Sequence, residues 1–475
     1  MFVNRKEELR MLDEILNRVT QGKAQFLLVY GRRRVGKTEL IRKWAEQSGV
    51  PYTYWAAEKT TAELQRRQFY ARISGVEESD APIFNSWSAF WTAVGPIFGK
   101  DDHILLIDEI TYVADADQGA LSALQHAWDQ QLKGSNIAVV ISGSHVQSLE
   151  TLMHGQSPLF GRLTAQWYLE PLPFSSLKEF FPKWPPAELV NLYATVGGVP
   201  AYLEWMNPER SYIDNLHEVV LTPSSMFLAE PEFLLYDEVR EPRTYLSILK
   251  AIGAGHHAFG EISGKSFVHK SNLPVYLQTL QDLRIVERRI PATVRPAKRR
   301  KSRLGRYHLS DPYFRFYFRF LDPLREDLSY DRERVFRYIQ EGLNAFVGST
   351  AFEELSRQWV QYQSNQGNLI IKFEQIGQHW SRNVQIDVVG INWDHKVLLL
   401  GECKWEKNPL SVNVVKQLIN DKTPRILKDL DIDQSEWRVR YAFFSKKGFT
   451  DPAVKMAESF NADLVSLDQL VNEVP

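Results

Sequence analysis

A chain of 475 residues is too long for one ordinary hydrophobic core and points to about three domains. Its 57 Lys and Arg nearly cancel its 58 Asp and Glu, so net charge names no partner; 44% hydrophobic and 24% charged content is that of a soluble globular protein. The single cysteine, Cys403, excludes an intramolecular disulfide and a thiolate zinc site, in keeping with a reducing compartment. The start, MFVNRKEELRMLDEIL, is a charged amphipathic helix pattern and not a signal peptide. No apolar run approaches the ~20 residues that span a bilayer. The expectation is a cytoplasmic protein with no membrane partner.

After a first helix with Leu9, Leu12, Ile15 and Leu16 on one face, Phe26 to Tyr30 is a short apolar run that reads as a buried parallel strand. It leads into GRRRVGKTEL, which matches G-x-x-x-x-G-K-[ST] and continues with helical character. Gly31 and Gly36 allow the tight bend that turns successive N–H groups inward onto phosphate oxygens. Lys37 supplies a point charge for the β- and γ-phosphates, and the Thr38 hydroxyl is a ligand for Mg²⁺. The new helix aims its positive end at the anion. Gly31, Arg34, Val35, Gly36, Lys37, Thr38 and Glu39 are therefore the candidate nucleotide-binding residues of this stretch.

A second strand is expected at Val50–Trp55, and helices at Glu63–Arg72 and Trp87–Ile97. The apolar strand Ile104–Ile107 then ends in Asp108 and Glu109. A carboxylate at a strand tip beside the phosphate loop can serve the magnesium, which is the role read for Asp108. Glu109 is read as the group that orients and deprotonates the attacking water. The next strand, Ile137–Ile141, ends in Ser142-Gly143-Ser144-His145, where Ser142 and Ser144 are equal candidates for contact with the γ-phosphate or the water; a plain turn is the alternative. Pro158–Arg162 follows, with Arg162 as a candidate charge sensor. Alternating strands and helices in this order predict a doubly wound α/β domain over residues 1–172.

FVNRKEEL, GRRRVGKTEL, LLIDEI, ISGSH and PLFGR together resemble the archaeal/bacterial ATPase family within the P-loop AAA+/STAND group. Gly197-Gly198-Val199-Pro200 with Tyr202-Leu203 resembles that family's small helical lid, assigned here to residues 173–235. The resemblance implies ATP as the nucleotide, since no N-K-x-D guanine-reading motif is present, and an arginine that completes the site, for which Arg162 is the matching position. Whether Arg162 serves its own ATP or that of a neighbour in a homo-oligomer stays open.

Residues 236–330 read as a winged helix-turn-helix: helix-spaced Leu246, Leu249 and Ile252, two short helices at Phe259–Ile262 and Leu273–Leu283, then strands at Ile285–Ile290 and Tyr307–Leu309. Between those strands RPAKRRKSR carries no acid and is a candidate phosphate-contacting loop for DNA, with a solvated hairpin tip as the alternative. DPYFRFYFRF has its aromatics at helical spacing and is read as a packing helix rather than a base-stacking platform.

In residues 331–475 a helix is expected over Leu343–Gln361, with strands at Ile370–Phe373, Val384–Ile391 and Val397–Trp405. Asp387 and Glu402 fall on paired strands, and strand alternation puts Lys404 on the face of Glu402 and Cys403 on the opposite one. Two carboxylates can hold a hard divalent cation, Mg²⁺ or else Mn²⁺, and the lysine can steady charge on an attacked phosphate. This pattern resembles the PD-(D/E)xK nuclease superfamily, a restriction-endonuclease-like α/β fold. The resemblance assigns Glu353 as the helix acid and metal ligand, Asp387 and Glu402 as metal ligands and catalytic acids, and Lys404 as the catalytic lysine. Ile386 stands where many members have proline. Two functional readings follow: an ATPase acting on nucleic acid through a metal-dependent nuclease, or a STAND-like switch whose nuclease fold is an inactive binding platform.

Overall fold

Among the described residues the strands form two five-stranded sheets and one two-stranded sheet. The computed structural model describes all residues except 1, 100, 152–154, 156, 240 and 434. It divides into two compact units, Met1–Leu172 with Val199–Ala201, and Pro173–Gly198 with Tyr202–Pro475.

In the first unit the apolar runs become five parallel strands: β1 (Gln25–Tyr30), β2 (Tyr52–Ala56), β3 (His103–Asp108), β4 (Ile137–Gly143) and β5 (Ala165–Tyr168), in the order β2-β3-β4-β1-β5. β1 and β4 are buried at every position, as strands covered by helices on both faces must be. On one face Leu12 and Val19 of the first helix and Leu40, Ile41 and Trp44 of the helix after the phosphate loop pack on Leu27, Val29, Leu106 and Val140. An aromatic cluster covers β2, with the Trp55 and Phe69 rings stacked at 4.3 Å between centroids. Because all five strands run the same way, the tips of β1, β3 and β4 share one edge of the sheet. β4 lies between the phosphate-loop strand and the strand that carries the acids.

The second unit has an aromatic helical core. The helix that begins at Pro312 buries Phe314, Tyr317, Phe318 and Leu321, the residues at helical spacing, and also Tyr313, Phe316 and Phe320, which that spacing does not single out. Helices at Pro242–Gly253, Phe259–Ser266 and Leu273–Asp282 precede an antiparallel pair, β6 (Val286–Arg289) and β7 (Arg306–Leu309). The basic stretch between these strands is not a bare loop. It contains a short helix, Pro296–Arg299, and is stitched to a neighbouring strand: Ala292 N–H donates to the Gln378 carbonyl at 2.8 Å, and Arg299 donates to Gln375 Oε1 at 2.6 Å and to the Pro291 carbonyl at 3.2 Å. The Arg295 guanidinium lies 4.6 Å from the Trp393 ring centre.

The C-terminal sheet has the order β12-β11-β10-β9-β8: β8 (Gln375–Trp380), β9 (Gln385–Asn392) and β10 (Val397–Lys404) are antiparallel neighbours, and β11 (Arg438–Ser445) and β12 (Asp463–Ser466) continue in parallel. The expected strand at Ile370–Phe373 is absent, and β8 takes its place a few residues on. The reason is local. Phe373 N–H donates to Ser364 Oγ at 2.9 Å, and its ring sits where a Cβ on Gly390 would stand 3.0 Å away, so this segment is held by side-chain contacts and pairing begins only at Gln375 opposite Ile391. The helix Glu353–Gln366 covers one face, with Trp359 against Phe444 at 5.7 Å. Val415, Leu418, Ile426 and Leu427 cover the other, over Val389, Leu398, Leu400 and Phe443. Among the described residues no helix is long and apolar enough to cross a membrane.

Candidate functional site

Beyond Tyr30 the chain turns through Gly31, Arg34 (φ 68°) and Gly36 (φ 90°) before the helix Lys37–Gln47 begins. A Cβ on Gly31 would lie 2.7 Å from the Leu169 carbonyl oxygen, so this close backbone approach requires glycine. Lys37 is buried, and its ammonium folds back onto the carbonyls of Gly31 (2.9 Å) and Arg32 (3.0 Å). Val35 is fully buried; its carbonyl accepts from Arg5, which also donates to the Glu170 carbonyl at 2.8 Å. Arg5 thus ties the loop to both flanks. Sequence reasoning gave it no role, although it stands within FVNRKEEL. Glu39 is exposed on the first turn of the helix, where a negative charge suits the helix dipole.

The acids at the tip of β3 are gathered with this loop. Asp108, 3% exposed, accepts from Thr38 Oγ1 at 2.6 Å, from Ser142 Oγ at 2.5 Å and from Tyr54 Oη at 3.2 Å. Burial first, and then Asp108, push the Tyr54 phenol up to about 12, so it remains a donor. Glu109 has a left-handed backbone (φ 53°), uncommon for a residue with a long side chain. Its N–H donates to Asp108 Oδ1 at 3.1 Å, and its carboxylate accepts from Ser144 N–H (3.2 Å) and Ser144 Oγ (3.0 Å). The two serines that the sequence left equivalent are therefore distinct: Ser142 holds Asp108 and Ser144 holds Glu109. Tyr54 was missed, because its strand position gives no motif. Arg162 is not gathered with this group. Its guanidinium is tied to Asp129 at 3.0 Å and to the Phe160 carbonyl at 3.1 Å. Thr38 and Asp108 offer a hard oxygen pair in mutual contact, a donor set that fits magnesium.

The C-terminal acids meet across the tips of β9 and β10. Glu402, 5% exposed, accepts from Lys404 at 3.0 Å and from Lys422 at 2.7 Å, one lysine on each oxygen. Burial lowers the Lys404 ammonium and Glu402 raises it; the net direction is up. Asp387 accepts from Cys403 N–H at 3.1 Å, and burial, then Glu402, push its carboxyl up to about 6. Glu353 accepts from Gln378 at 2.7 Å, with Arg357 at 3.5 Å, and burial, then Asp387, push it up to about 8. Among the described residues no three His, Cys, Asp or Glu side chains stand as a ready metal cage. Cys403 alternates away from Glu402 along β10, and burial, then Asp387 and Glu353, raise its thiol well above its ordinary range. Lys422, Gln378 and Arg357 were missed, since none is part of the short motif.

The model of an ATPase domain predominantly from Archaea matches residues 2–206, and a second, of archaeal and bacterial proteins of unknown function, matches residues 317–418. An uncharacterised protein of Methanocaldococcus jannaschii is 34% identical over 424 residues, covering 89% of this chain and 91% of that protein. The chain belongs to this archaeal ATPase-domain family. An uncharacterised ATP-binding protein of the same organism is 52% identical over 50 residues, 10% of this chain and 80% of that one. Among solved structures, the Walker-type ATPase of Pyrococcus abyssi is similar with a TM-score of 0.49 at 20% identity, over 67% of this chain and 96% of that one. The ORC2 protein of Aeropyrum pernix is similar with a TM-score of 0.43 at 13% identity, over 71% and 95%.

Proposed function

We propose that this member of the archaeal ATPase family binds and hydrolyses ATP at the shared edge of β1, β3 and β4. The observation that carries the reading is the paired arrangement there: Thr38 and Ser142 on Asp108, and Ser144 on Glu109. The loop N–H groups and Lys37 take the phosphates, with Lys37 exchanging its two carbonyl partners for phosphate oxygens. Thr38 and Asp108 would hold Mg²⁺, whose contribution is to neutralise charge on the β- and γ-phosphate oxygens. Glu109, fixed by Ser144, orients the attacking water and accepts its proton. Arg162 acts as charge sensor after leaving Asp129. ATP binding to Lys37→Ala and ATP turnover by Glu109→Gln test this: the first variant loses affinity, the second binds ATP and hydrolyses it slowly. Turnover at the wild-type rate in Glu109→Gln removes the assignment.

We further infer that the ATPase acts on DNA, with residues 173–235 as lid, residues 236–330 as a winged helix-turn-helix, and residues 331–475 as a restriction-endonuclease-like domain. Support for the last is the convergence of the buried acids Glu353, Asp387 and Glu402, with Lys404 paired to Glu402 at 3.0 Å. The donors are hard oxygens suited to Mg²⁺ or Mn²⁺, with Asp387 and Glu402 as the pair that would hold the ion and Glu353 beside them. Lys404 would steady the charge that builds on an attacked phosphodiester. Metal-dependent cleavage of plasmid and single-stranded DNA by wild type, lost in Asp387→Ala with ATP hydrolysis kept, is the expected result. No cleavage with either ion assigns the domain to a binding platform under an ATP-driven switch, the reading favoured by the two lysines that already satisfy Glu402.

A further inference from the structure

Within the second unit, beside the β6–β7 pair, lies a half-open cavity of about 440 Å³. Its charged lining is one-sided: Arg289, Arg306, Arg315 and Arg319 against one carboxyl, that of Glu353. Arg315 and Arg289 are answered from outside the cavity, by Glu354 at 2.6 Å and Glu287 at 2.5 Å respectively. Arg306 and Arg319 have no carboxylate partner among the described residues. Their guanidinium groups lie instead near rings, Arg306 at 5.0 Å from the centre of Trp380 and Arg319 at 5.8 Å from that of Phe320. Two histidines complete the wall, His257 and His308, stacked at 4.1 Å between ring centres. His257 Nδ1 is paired with the Tyr307 carbonyl at 2.9 Å, whereas His308 Nε2 is buried with no hydrogen-bond partner. A buried ring nitrogen without a partner, beside two guanidinium groups without counter-ions, is a cluster short of a polar partner.

We propose that this cavity binds the phosphomonoester group of a nucleotide, either free or at the end of a nucleic-acid strand. Planar guanidinium forks match phosphate oxygens, and a dianionic monoester answers two unmatched arginines where a monoanionic diester answers one. The volume falls within the ~300–1,000 Å³ of small-molecule pockets and exceeds what a bare phosphate fills. The inference does not rest on the ATPase or nuclease readings, because binding is read without turnover.

The test uses the full chain with its phosphate loop saturated by a non-hydrolysable ATP analogue, titrated calorimetrically. Thymidine 5′-monophosphate is compared with thymidine, and a 5′-phosphorylated oligothymidylate with its unphosphorylated form. Binding of the mononucleotide and not of thymidine points to a free nucleotide. A preference only for the phosphorylated oligonucleotide points to a strand end, and either supports the site. Arg306→Gln and Arg319→Gln should each weaken the phosphorylated probe at least ~10-fold, on the scale of one charge-assisted pair. Arg319 is exposed at the cavity rim, so its substitution leaves the fold in place. Arg10→Gln, exposed on the first helix and outside the cavity, should bind as wild type. The proposal is overturned if neither phosphorylated probe binds better than its unphosphorylated counterpart, or if Arg306→Gln and Arg319→Gln both bind as wild type.

Discussion

The two acid groups of this protein solve the same electrostatic problem in different ways. At the tip of β3, Asp108 and Glu109 are held by neutral donors: the hydroxyls of Thr38, Ser142, Tyr54 and Ser144, and backbone N–H groups. These donors orient the two carboxylates without bringing a formal positive charge to them. At the tips of β9 and β10, Glu402 is cancelled within the fold by Lys404 and Lys422, and the neighbouring Asp387 and Glu353 are pushed towards the protonated form. In the first arrangement these hydrogen bonds to the acids come from uncharged donors; in the second, Glu402 already has two ammonium counter-ions within the fold. Hydroxyl donors can turn to suit a new partner, while a buried ion pair resists exchange because each charge left behind is costly.

The contrast is most exposed to Glu402→Gln, which leaves two lysine ammonium groups without their shared counter-ion. Stability should fall by about 3 kcal/mol in urea unfolding, the scale for breaking a buried pair from one side. Asp108→Asn, whose partners are hydroxyls free to rotate, should cost under about 1 kcal/mol in the same assay. Equal losses in the two variants would erase the distinction.

Next in size, Glu109→Gln should slow ATP hydrolysis at least ~100-fold with ATP affinity kept, measured by phosphate release and nucleotide titration. Ser144→Ala should slow it less, since the Ser144 N–H still holds the Glu109 carboxylate. A larger loss in Ser144→Ala than in Glu109→Gln would make the serine and not the acid the water-handling group.

A smaller effect is expected from pH. Burial, followed by neighbouring arginines, holds the His308 imidazole below its ordinary range, and burial does the same to His257. With the folded values depressed, the neutral histidines cost nothing above about pH 6.5; below it the unfolded chain takes up protons that the folded chain refuses. Stability should therefore decline as pH falls below about 6.5, by up to about 1.4 kcal/mol per pH unit for each such histidine. His308→Gln should flatten that slope in melting curves across pH 5 to 7. An unchanged slope would place the acid sensitivity elsewhere.

The mildest expectation concerns the basic stretch after β6. Lys298, Arg300 and Lys301 are exposed, whereas Arg299 is partly buried and bonded to Gln375. Replacing the three exposed residues by alanine should remove ~0.9 from the log–log salt slope of DNA binding for each phosphate no longer neutralised. Arg299→Ala should lower the melting temperature instead. A slope that stays the same in the triple variant returns the stretch to a solvated surface.

Sequence alone determined what is encoded within one short run. The bend of GRRRVGKTEL, the apolar β1, β3 and β4, and the helical packing of DPYFRFYFRF follow from local spacing, because backbone sterics and side-chain periodicity act over a few residues. Its parallel α/β domain was legible for the same reason, apart from β5, which sequence reading did not name. Tertiary structure decided everything that needed a partner from far along the chain. Only the insertion of β4 beside β1 brings Ser142 to Asp108 and Ser144 to Glu109 and so separates two serines that look alike in sequence. Only the helical run that carries Lys422 brings a second lysine to Glu402, and only the packing of Phe373 over Gly390 delays the first C-terminal strand to Gln375. Arg162 shows the same limit, since its bond to Asp129 spans two elements that no local pattern joins. A motif names the group that carries a charge, but the partner that sets that charge is chosen by long-range packing.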